Sequence, residues 1–157
     1  MTDIKEHLAY DFEFTHIVKE IETSVTIYSS SESAEGKCFK INAIWDTGAT
    51  HSVISTELSK QLEAEPVDKC LVSDVYKKNK TTDVIMATLI LPNGTIMYGK
   101  RFSICDIPGT DVLIGMDIIS MGDFVITNAK GKTMFSFVIP TLNNKISFSN
   151  IVNSKIL

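Results

Sequence analysis

This sequence lacks the features that mark several large classes of protein. Its three cysteines, Cys38, Cys70 and Cys105, are too few and too far apart for a disulfide framework or a zinc site, and they favour a reducing compartment. No apolar run approaches about 18 residues, the length that a membrane-spanning helix needs. The formal net charge is −4 and basic residues are not clustered, so neither a membrane nor a nucleic acid is an expected partner.

Other absent features limit the expected cellular compartment and the expected type of chemistry. The first residues lack a basic segment followed by an apolar one, so we expect no signal peptide and a cytoplasmic location. The three histidines, His7, His16 and His51, have no spacing suited to a shared metal ion. We therefore expect a protein that works without a metal or another cofactor.

What is present is an ordinary globular composition, with 44% hydrophobic and 22% charged residues in a chain of 157. Such a length suffices for one domain with a real core. We expect this domain to cover residues 21–140, between a leader of uncertain structure (1–20) and a C-terminal tail (141–157). Many short β-rich segments separated by turn signals predict an all-β, barrel-like fold.

The pattern also predicts individual elements. Strands are expected over 21–28 and 38–45, and hairpins are expected at Pro92-Asn93-Gly94 and around residues 128–131. A short helix is expected over Thr56–Ala64, capped by Ser55 and ended by Pro66, with one further helical turn over 117–121.

The most informative segment is an apolar strand that ends abruptly in Asp46-Thr47-Gly48-Ala49. A carboxylate at the exit of a buried strand is costly unless it is hydrogen-bonded or used. Gly48 permits a tight turn and close approach of another chain, and Thr47 offers a hydroxyl that can brace the turn. An Asx-type turn between a strand and a helix is the alternative that these four residues leave open.

A second motif, Asp111 to Ser120, repeats the same order of apolar strand, sharp turn and short helix. Gly115 at its centre leaves room for two chain segments to lie close together. Taken alone, Val112 to Gly115 is better explained as a buried core strand. Two such motifs in this order, with a hairpin-rich stretch between them, favour a functional interpretation.

Together the two motifs resemble those of the retropepsin-like aspartic proteases, most closely the single-domain bacterial or phage-associated members. The resemblance covers about residues 38–137. It implies an all-β retropepsin-like acid-protease barrel with one or two short helices. It also implies an aspartic endopeptidase that hydrolyses peptide bonds in a peptide or protein substrate.

The resemblance also assigns roles to residues. It implies that Asp46 is the catalytic carboxylate, that Thr47 locks two active-site loops together across a dimer, and that Gly48 presents its carbonyl to the substrate. The substrate-binding residues that it implies are Ala49, Thr50, Val75, Tyr76, Ile114 and Gly115. Because this chemistry needs two facing carboxylates and the chain has one such motif, a homodimer is expected.

Other titratable groups near the motifs have simpler interpretations. Asp111 and Asp117 flank the second motif and are expected to hold turns by hydrogen bonds. His51 is expected to be partly exposed at a helix entry, where it can tune a pH response.

One segment departs from the family pattern. The hairpin flap that covers the substrate in the family is expected over Val72–Val84, with a basic tip at Lys77–Lys80, but this stretch contains no glycine. This departure supports an alternative function, a catalytically inactive protease-fold module for dimerisation or peptide binding. A generic β-barrel binding protein is a weaker alternative, in which the Asp46 motif is a coincidence.

Overall fold

A computed structural model describes residues 7–30, 36–74, 77–142 and 145–154. It is mostly β, with 52% strand and 13% helix, which confirms the all-β prediction. The strands are β1 (Leu8–Glu13), β2 (Ile21–Ser29), β3 (Cys38–Trp45), β4 (Val53–Ile54), β5 (Asp68–Asp74), β6 (Lys77–Ile90), β7 (Ile96–Ile104), β8 (Val112–Ile114), β9 (Asp123–Ala129) and β10 (Lys132–Ile139). The helices are α1 (Thr56–Gln61), α2 (Met116–Ile119) and α3 (Phe148–Ser154). Within the described ranges, no helix has the length and apolarity to span a membrane.

Six strands close into a barrel in the order β2, β3, β8, β4, β7 and β6. Antiparallel pairing of β2 with β6 closes the ring, with Thr26 opposite Ile90. Alternate side chains of β2, including Val25 and Ile27, are buried in the barrel core, as the two-residue period of a strand requires. Strands β2 and β3 confirm the strands that the β-rich segments predicted over 21–28 and 38–45.

The short strand β8 places the two sequence motifs side by side. It lies between β3, with which it pairs parallel, and β4, with which it pairs antiparallel. The parallel register sets Trp45 opposite Ile114, so the last residue of β3 and the last residue of β8 are neighbours. The segments that follow these two strands therefore leave the barrel at the same point.

A three-stranded sheet in the order β1, β10, β9 packs against the barrel through aromatic rings. The ring centroid of Trp45 lies 5.0 Å from that of Phe135 and 4.9 Å from that of Phe137. The indole Nε1 of Trp45 donates a hydrogen bond to Oγ1 of the buried Thr23, at 2.8 Å. Trp45 is thereby fixed from both sides, and the chain leaves β3 in a defined direction.

Strand β1 falls within residues 1–20, the predicted leader, and pairs antiparallel with β10 along its whole length. Tyr10 of this strand makes an edge-on contact with Phe135, with 5.8 Å between ring centroids. Burial raises the pKa of Tyr10 to about 12, and the Thr23 hydroxyl opposes that shift. Tyr10 therefore connects β1 to the barrel as a neutral phenol.

Hairpins form where the turn signals predicted them. Gly94 has a φ of 81°, and its N–H donates to the carbonyl of Leu91 in the turn between β6 and β7. Lys130 and Gly131, with φ values of 52° and 77°, form the two-residue connection between β9 and β10. Positive φ at both positions suits the twist of a tight hairpin.

The hairpin predicted over Val72–Val84 is also present, formed by β5 and β6. Its predicted tip is wrong, because Lys77–Lys80 begin β6 and the register sets Asp74 opposite Lys77. Consecutive lysines suit a solvated ribbon as well as they suit a turn, so composition did not distinguish the two. The predicted site residues Val75 and Tyr76 lie outside the described residues.

Two helices differ from the sequence prediction. Helix α1 ends at Gln61 rather than at Ala64, because Leu62 is its C-cap and Glu63 adopts a φ of 50°. Helix α3 lies in the tail, where no helix was predicted, and it adds a third helix to the one or two expected.

Candidate active site

Asp46 stands at the end of β3, where the backbone pairing between the two motifs continues beyond the strand. Its N–H donates to the carbonyl of Ile114 at 2.9 Å. The side chain is half-buried, and Oδ1 accepts the N–H of Gly48 at 2.8 Å. The Ala49 N–H donates to the carbonyl of Asp46 at 3.2 Å. Residues 46–49, hereafter the Asp46 turn, are therefore held by their own side chain and by β8.

Gly115 allows the second motif to lie directly against the first. A Cβ atom at this position would meet the backbone of His51 at 2.7 Å and the carbonyl oxygen of Ala49 at 3.0 Å. The next two residues donate their N–H groups across this contact, Met116 to the carbonyl of Ala49 at 2.8 Å and Asp117 to that of Thr50 at 3.2 Å. The close approach expected of Gly115 is thus a packed, hydrogen-bonded junction.

A buried serine completes the junction. Ser52 is fully buried, and its Oγ accepts the N–H of Gly115 at 3.0 Å and donates to Oδ1 of Asp117 at 2.7 Å. Sequence reasoning missed this residue. Its one sequence signal is a short polar side chain directly before the apolar β4 residues Val53 and Ile54.

Ser55 makes a second link of the same kind between the two motifs. Its Oγ accepts the N–H of Leu58 at 3.1 Å, which caps α1 as predicted, and donates to Oδ1 of Asp111 at 2.7 Å. Asp111 and Asp117 thus each accept a serine hydroxyl, consistent with the turn-holding roles expected of them. Both carboxylates therefore hold neighbouring chain segments together by hydrogen bonds, and neither lines a groove beside Asp46.

Asp106 anchors the start of α1 next to this network. Its carboxylate accepts the backbone N–H of Thr56 at 2.8 Å and also its hydroxyl. The backbone hydrogen bond, followed by the hydroxyl, lowers the pKa of Asp106. This carboxylate therefore stays ionised, and α1 stays anchored, further into the acidic range.

Two grooves flank the Asp46 turn. The hairpin groove has a volume of about 390 Å³ and is lined by Gly48, Ala49, Thr50, His51, Val53, Cys70, Leu71, Val72 and Ser103. The Thr47 groove has a volume of about 350 Å³ and is lined by Lys19, Glu20, Ile21, Ile44, Trp45, Asp46, Thr47, Ile119, Phe124, Ile126 and Phe135. The Asp46 turn therefore separates the hairpin groove, which β5 borders, from the Thr47 groove, which β9 borders.

Comparison with solved structures identifies the fold. The chain aligns with the crystal structure of a retropepsin-like aspartic protease from Rickettsia conorii at a TM-score of 0.52, with 12% identity, over 85% of this chain and 96% of that one. The chain has the retropepsin-like fold. No protein-family model and no curated protein sequence matches it.

Two further solved structures align with part of this retropepsin-like chain. The EIAV protease complexed with the inhibitor HBY-793 aligns at a TM-score of 0.46 and 24% identity, over 65% of this chain and 86% of that one. The retroviral protease-like domain of Ddi1 from Leishmania major aligns at a TM-score of 0.46 and 14% identity, over 69% of this chain and 82% of that one.

Within the retropepsin-like fold, the residues predicted for the site separate into two groups. Ala49 and Thr50 line the hairpin groove, and Thr47 is exposed in the Thr47 groove. Ile114 and Gly115 are buried next to the Asp46 turn and line neither groove, and their substrate-binding role stays a prediction. Their position in the core follows from the pairing of β8 with strands on both sides.

Proposed function

We propose that this chain is an aspartic endopeptidase that acts as a homodimer and uses Asp46 as one of two catalytic carboxylates. The observation that carries the proposal is the position of Asp46, a half-buried carboxylate on a hydrogen-bonded turn between two grooves. The retropepsin-like fold shared with a protease from Rickettsia conorii supports it.

Hydrolysis by this route needs one carboxylate as a base and another as an acid. The ionised carboxylate takes a proton from water while the water oxygen attacks the carbonyl carbon of the peptide. The protonated carboxyl gives its proton to the carbonyl oxygen, which yields a neutral tetrahedral intermediate. Collapse of this intermediate breaks the C–N bond. The amine leaves with a proton from the first carboxyl, and the second carboxylate takes back a proton from one hydroxyl of the intermediate, which yields the product acid and restores the singly protonated pair.

The second carboxylate comes from a second copy of the chain. The sequence holds one Asp-Thr-Gly motif, and a two-fold axis between copies brings two Asp46 side chains together. Two carboxylates that face each other repel when both are ionised, so the pair shares one proton. Only the singly protonated pair contains both an acid and a base. We therefore expect a bell-shaped activity profile with its maximum on the acidic side of neutrality.

The remaining site residues have roles that fit their positions. Thr47 is exposed beside Asp46, where it can contact the partner's turn, and the Gly48 carbonyl can hold the substrate backbone. Ala49 and Thr50 contribute to the wall of the hairpin groove, which takes the substrate side chains. All three cysteines are free thiols, which suits the cytoplasmic location that we propose.

Asp46→Asn tests the proposal. The variant should keep its melting temperature and lose at least about 100-fold in kcat on a peptide library, because a neutral amide cannot act as the base. Asp11→Asn is the matched control, since Asp11 is exposed on β1 and away from both grooves. Added to wild-type protein, Asp46→Asn should also lower activity beyond simple dilution, because mixed dimers hold one carboxylate.

Two outcomes contradict the assignment. Peptide cleavage by Asp46→Asn at a near wild-type rate rejects Asp46 as the catalytic group. Wild-type protein that cleaves no peptide across the acidic range favours the inactive protease-fold module.

A further inference from the structure

Helix α3 presents an apolar face that no other part of the described chain covers. Phe148, Ile151 and Val152 recur at the i, i+3 and i+4 positions of one helical face, and their exposed fractions are 61%, 44% and 58%. Ile146, just before the helix, is 58% exposed. None of the residues of α3 is buried.

Such a helix is not expected to be stable on its own. Seven residues make two turns, and helices shorter than about 12 residues are marginal in water without tertiary packing. From Ile146 to Ser154 the sequence contains no charged residue. A short, uncharged segment with one apolar face is typical of the centre of a protein interface, where charged residues are depleted.

The position of α3 indicates which surface it belongs to. The segment that leads into it borders the α2–β9 groove, about 660 Å³ in volume, whose apolar lining is Met116, Ile119, Phe124, Val125, Ile126, Leu142, Ile146 and Phe148. Three of these residues, Ile119, Phe124 and Ile126, also line the Thr47 groove beside Asp46. The two grooves therefore share an apolar stretch that leads from the Asp46 turn toward α3, and Asp123 and Lys145 are the charged residues that line the α2–β9 groove.

We propose that a second copy of this chain packs on this apolar stretch, and that α3 of each subunit is a main contact of the dimer. The choice of occupant rests on the proposed function, which requires two copies to meet at the Asp46 turn. A two-fold interface is self-complementary, so the same apolar surface is offered by both subunits. The dimer then covers the exposed face of α3 and supplies the packing that the helix lacks.

The double variant Ile151→Glu/Val152→Glu tests this surface. Both side chains are exposed, so the subunit should fold with an unchanged melting temperature of the monomeric species. Charges at the centre of the interface should weaken the dimer about tenfold or more, as measured by sedimentation equilibrium. The matched control is Ile96→Glu/Tyr98→Glu on β7, which places two charges on exposed side chains that line none of these grooves.

Measurements in the Asp46→Asn background separate this inference from the proposed function, because association is then followed without catalysis. A dimer weakened by the α3 charges and unaffected by the β7 charges supports the inference, whether or not wild-type protein cleaves peptides. A dimer that withstands the α3 charges overturns it, even if peptides are cleaved.

Amide hydrogen exchange provides a second readout. Exchange in α3 should become slower as the concentration of Asp46→Asn protein rises through the dimerisation range. Exchange in α3 that does not change with concentration overturns the inference, and so does a chain that stays monomeric at the highest concentration tested.

Discussion

Gly115 is the residue on which the geometry of the Asp46 turn depends most directly. Its hydrogen atoms occupy a space in which a methyl group would meet backbone atoms of His51 and Ala49. Backbone atoms cannot rotate away as a flexible side chain can, so relief of this contact requires that the two motifs separate. Separation lengthens the hydrogen bonds that Met116 and Asp117 donate to the segment after Asp46.

Gly115→Ala should therefore lower the free energy of unfolding by about 2–3 kcal/mol, the cost of overpacking a tight site, and reduce peptide cleavage more than the stability loss explains. Gly131→Ala is the comparison, because a Cβ there meets open space and only the positive φ opposes it, at a cost of about 1 kcal/mol. Urea unfolding of both variants measures the difference. Equal losses of stability would show that the junction at Gly115 tolerates a side chain.

The structural role of a single residue was predictable where its neighbours in the sequence already indicate the local structure that it forms. Asp46 and Gly48 form a local turn, and local turns can be read from adjacent residues. Ser52 and Ser55 were different, because each hydroxyl bridges to a carboxylate far along the chain. Nothing adjacent to Ser52 indicates that Asp117 is its partner.

Among the elements, the β5–β6 hairpin is supported unevenly along its length. Residues 84–90 of β6 pair with β7, whereas residues 77–83 pair with β5 alone. At the base, the Arg101 guanidinium contacts Asp68 at 2.5 Å and lowers the pKa of that carboxyl. A two-stranded ribbon outside the barrel has little stability of its own, so we expect residues 77–83 to open more readily than residues 84–90 of the same strand.

We expect fast amide exchange over Lys77–Thr81 in the free protein and slow exchange at Ile85 and Leu89, which are fully buried. A peptide inhibitor with a hydroxyethylene group in place of the scissile bond should slow exchange over Lys77–Thr81 about tenfold, because bound peptide adds contacts to the closed state. Exchange in the barrel strands serves as the internal control. An inhibitor that blocks the site and leaves this segment unchanged would show that another part of the chain covers the substrate.

Elements were predictable where β-rich composition and turn residues agreed, as in β2, β3 and the hairpin at Gly94. The predicted bounds of elements were wrong where the side chains suit both a strand and a turn, as with the lysines at the start of β6. Helix α3 was not predicted because its three apolar positions span only two turns. The packing partner proposed for it, a second copy of the chain, is also absent from the single chain.

At the scale of the whole molecule, the three-stranded sheet and the barrel are joined largely by aromatic rings. Tyr10 is the titratable member of this contact, and burial raises its pKa from 10.0 to about 12. A raised pKa means that the folded state favours the neutral phenol. Its contribution to stability is therefore fully present below pH 10 and is lost as pH rises through 12.

Tyr10→Phe should consequently reduce the loss of stability between pH 10 and 12. The difference from wild type should reach about 1–2 kcal/mol, a value reduced for the solvent that reaches this half-buried ring. Urea unfolding as a function of pH measures it. Tyr98→Phe, at a side chain that is 75% exposed, is the matched control and should follow the wild-type curve. Identical pH profiles for wild type and Tyr10→Phe would contradict this role of Tyr10.

The parallel pairing of β3 with β8 also sets the point during synthesis at which the Asp46 turn can take its folded geometry. The Asp46 turn and the adjacent Thr50 take their backbone partners from Ile114, Met116 and Asp117, which are translated long after them. At about 5–20 residues per second, the delay amounts to several seconds. Throughout that interval the segment around Asp46 lacks its hydrogen-bond partners, so the geometry of the Asp46 turn can be completed only after the second motif has been synthesised.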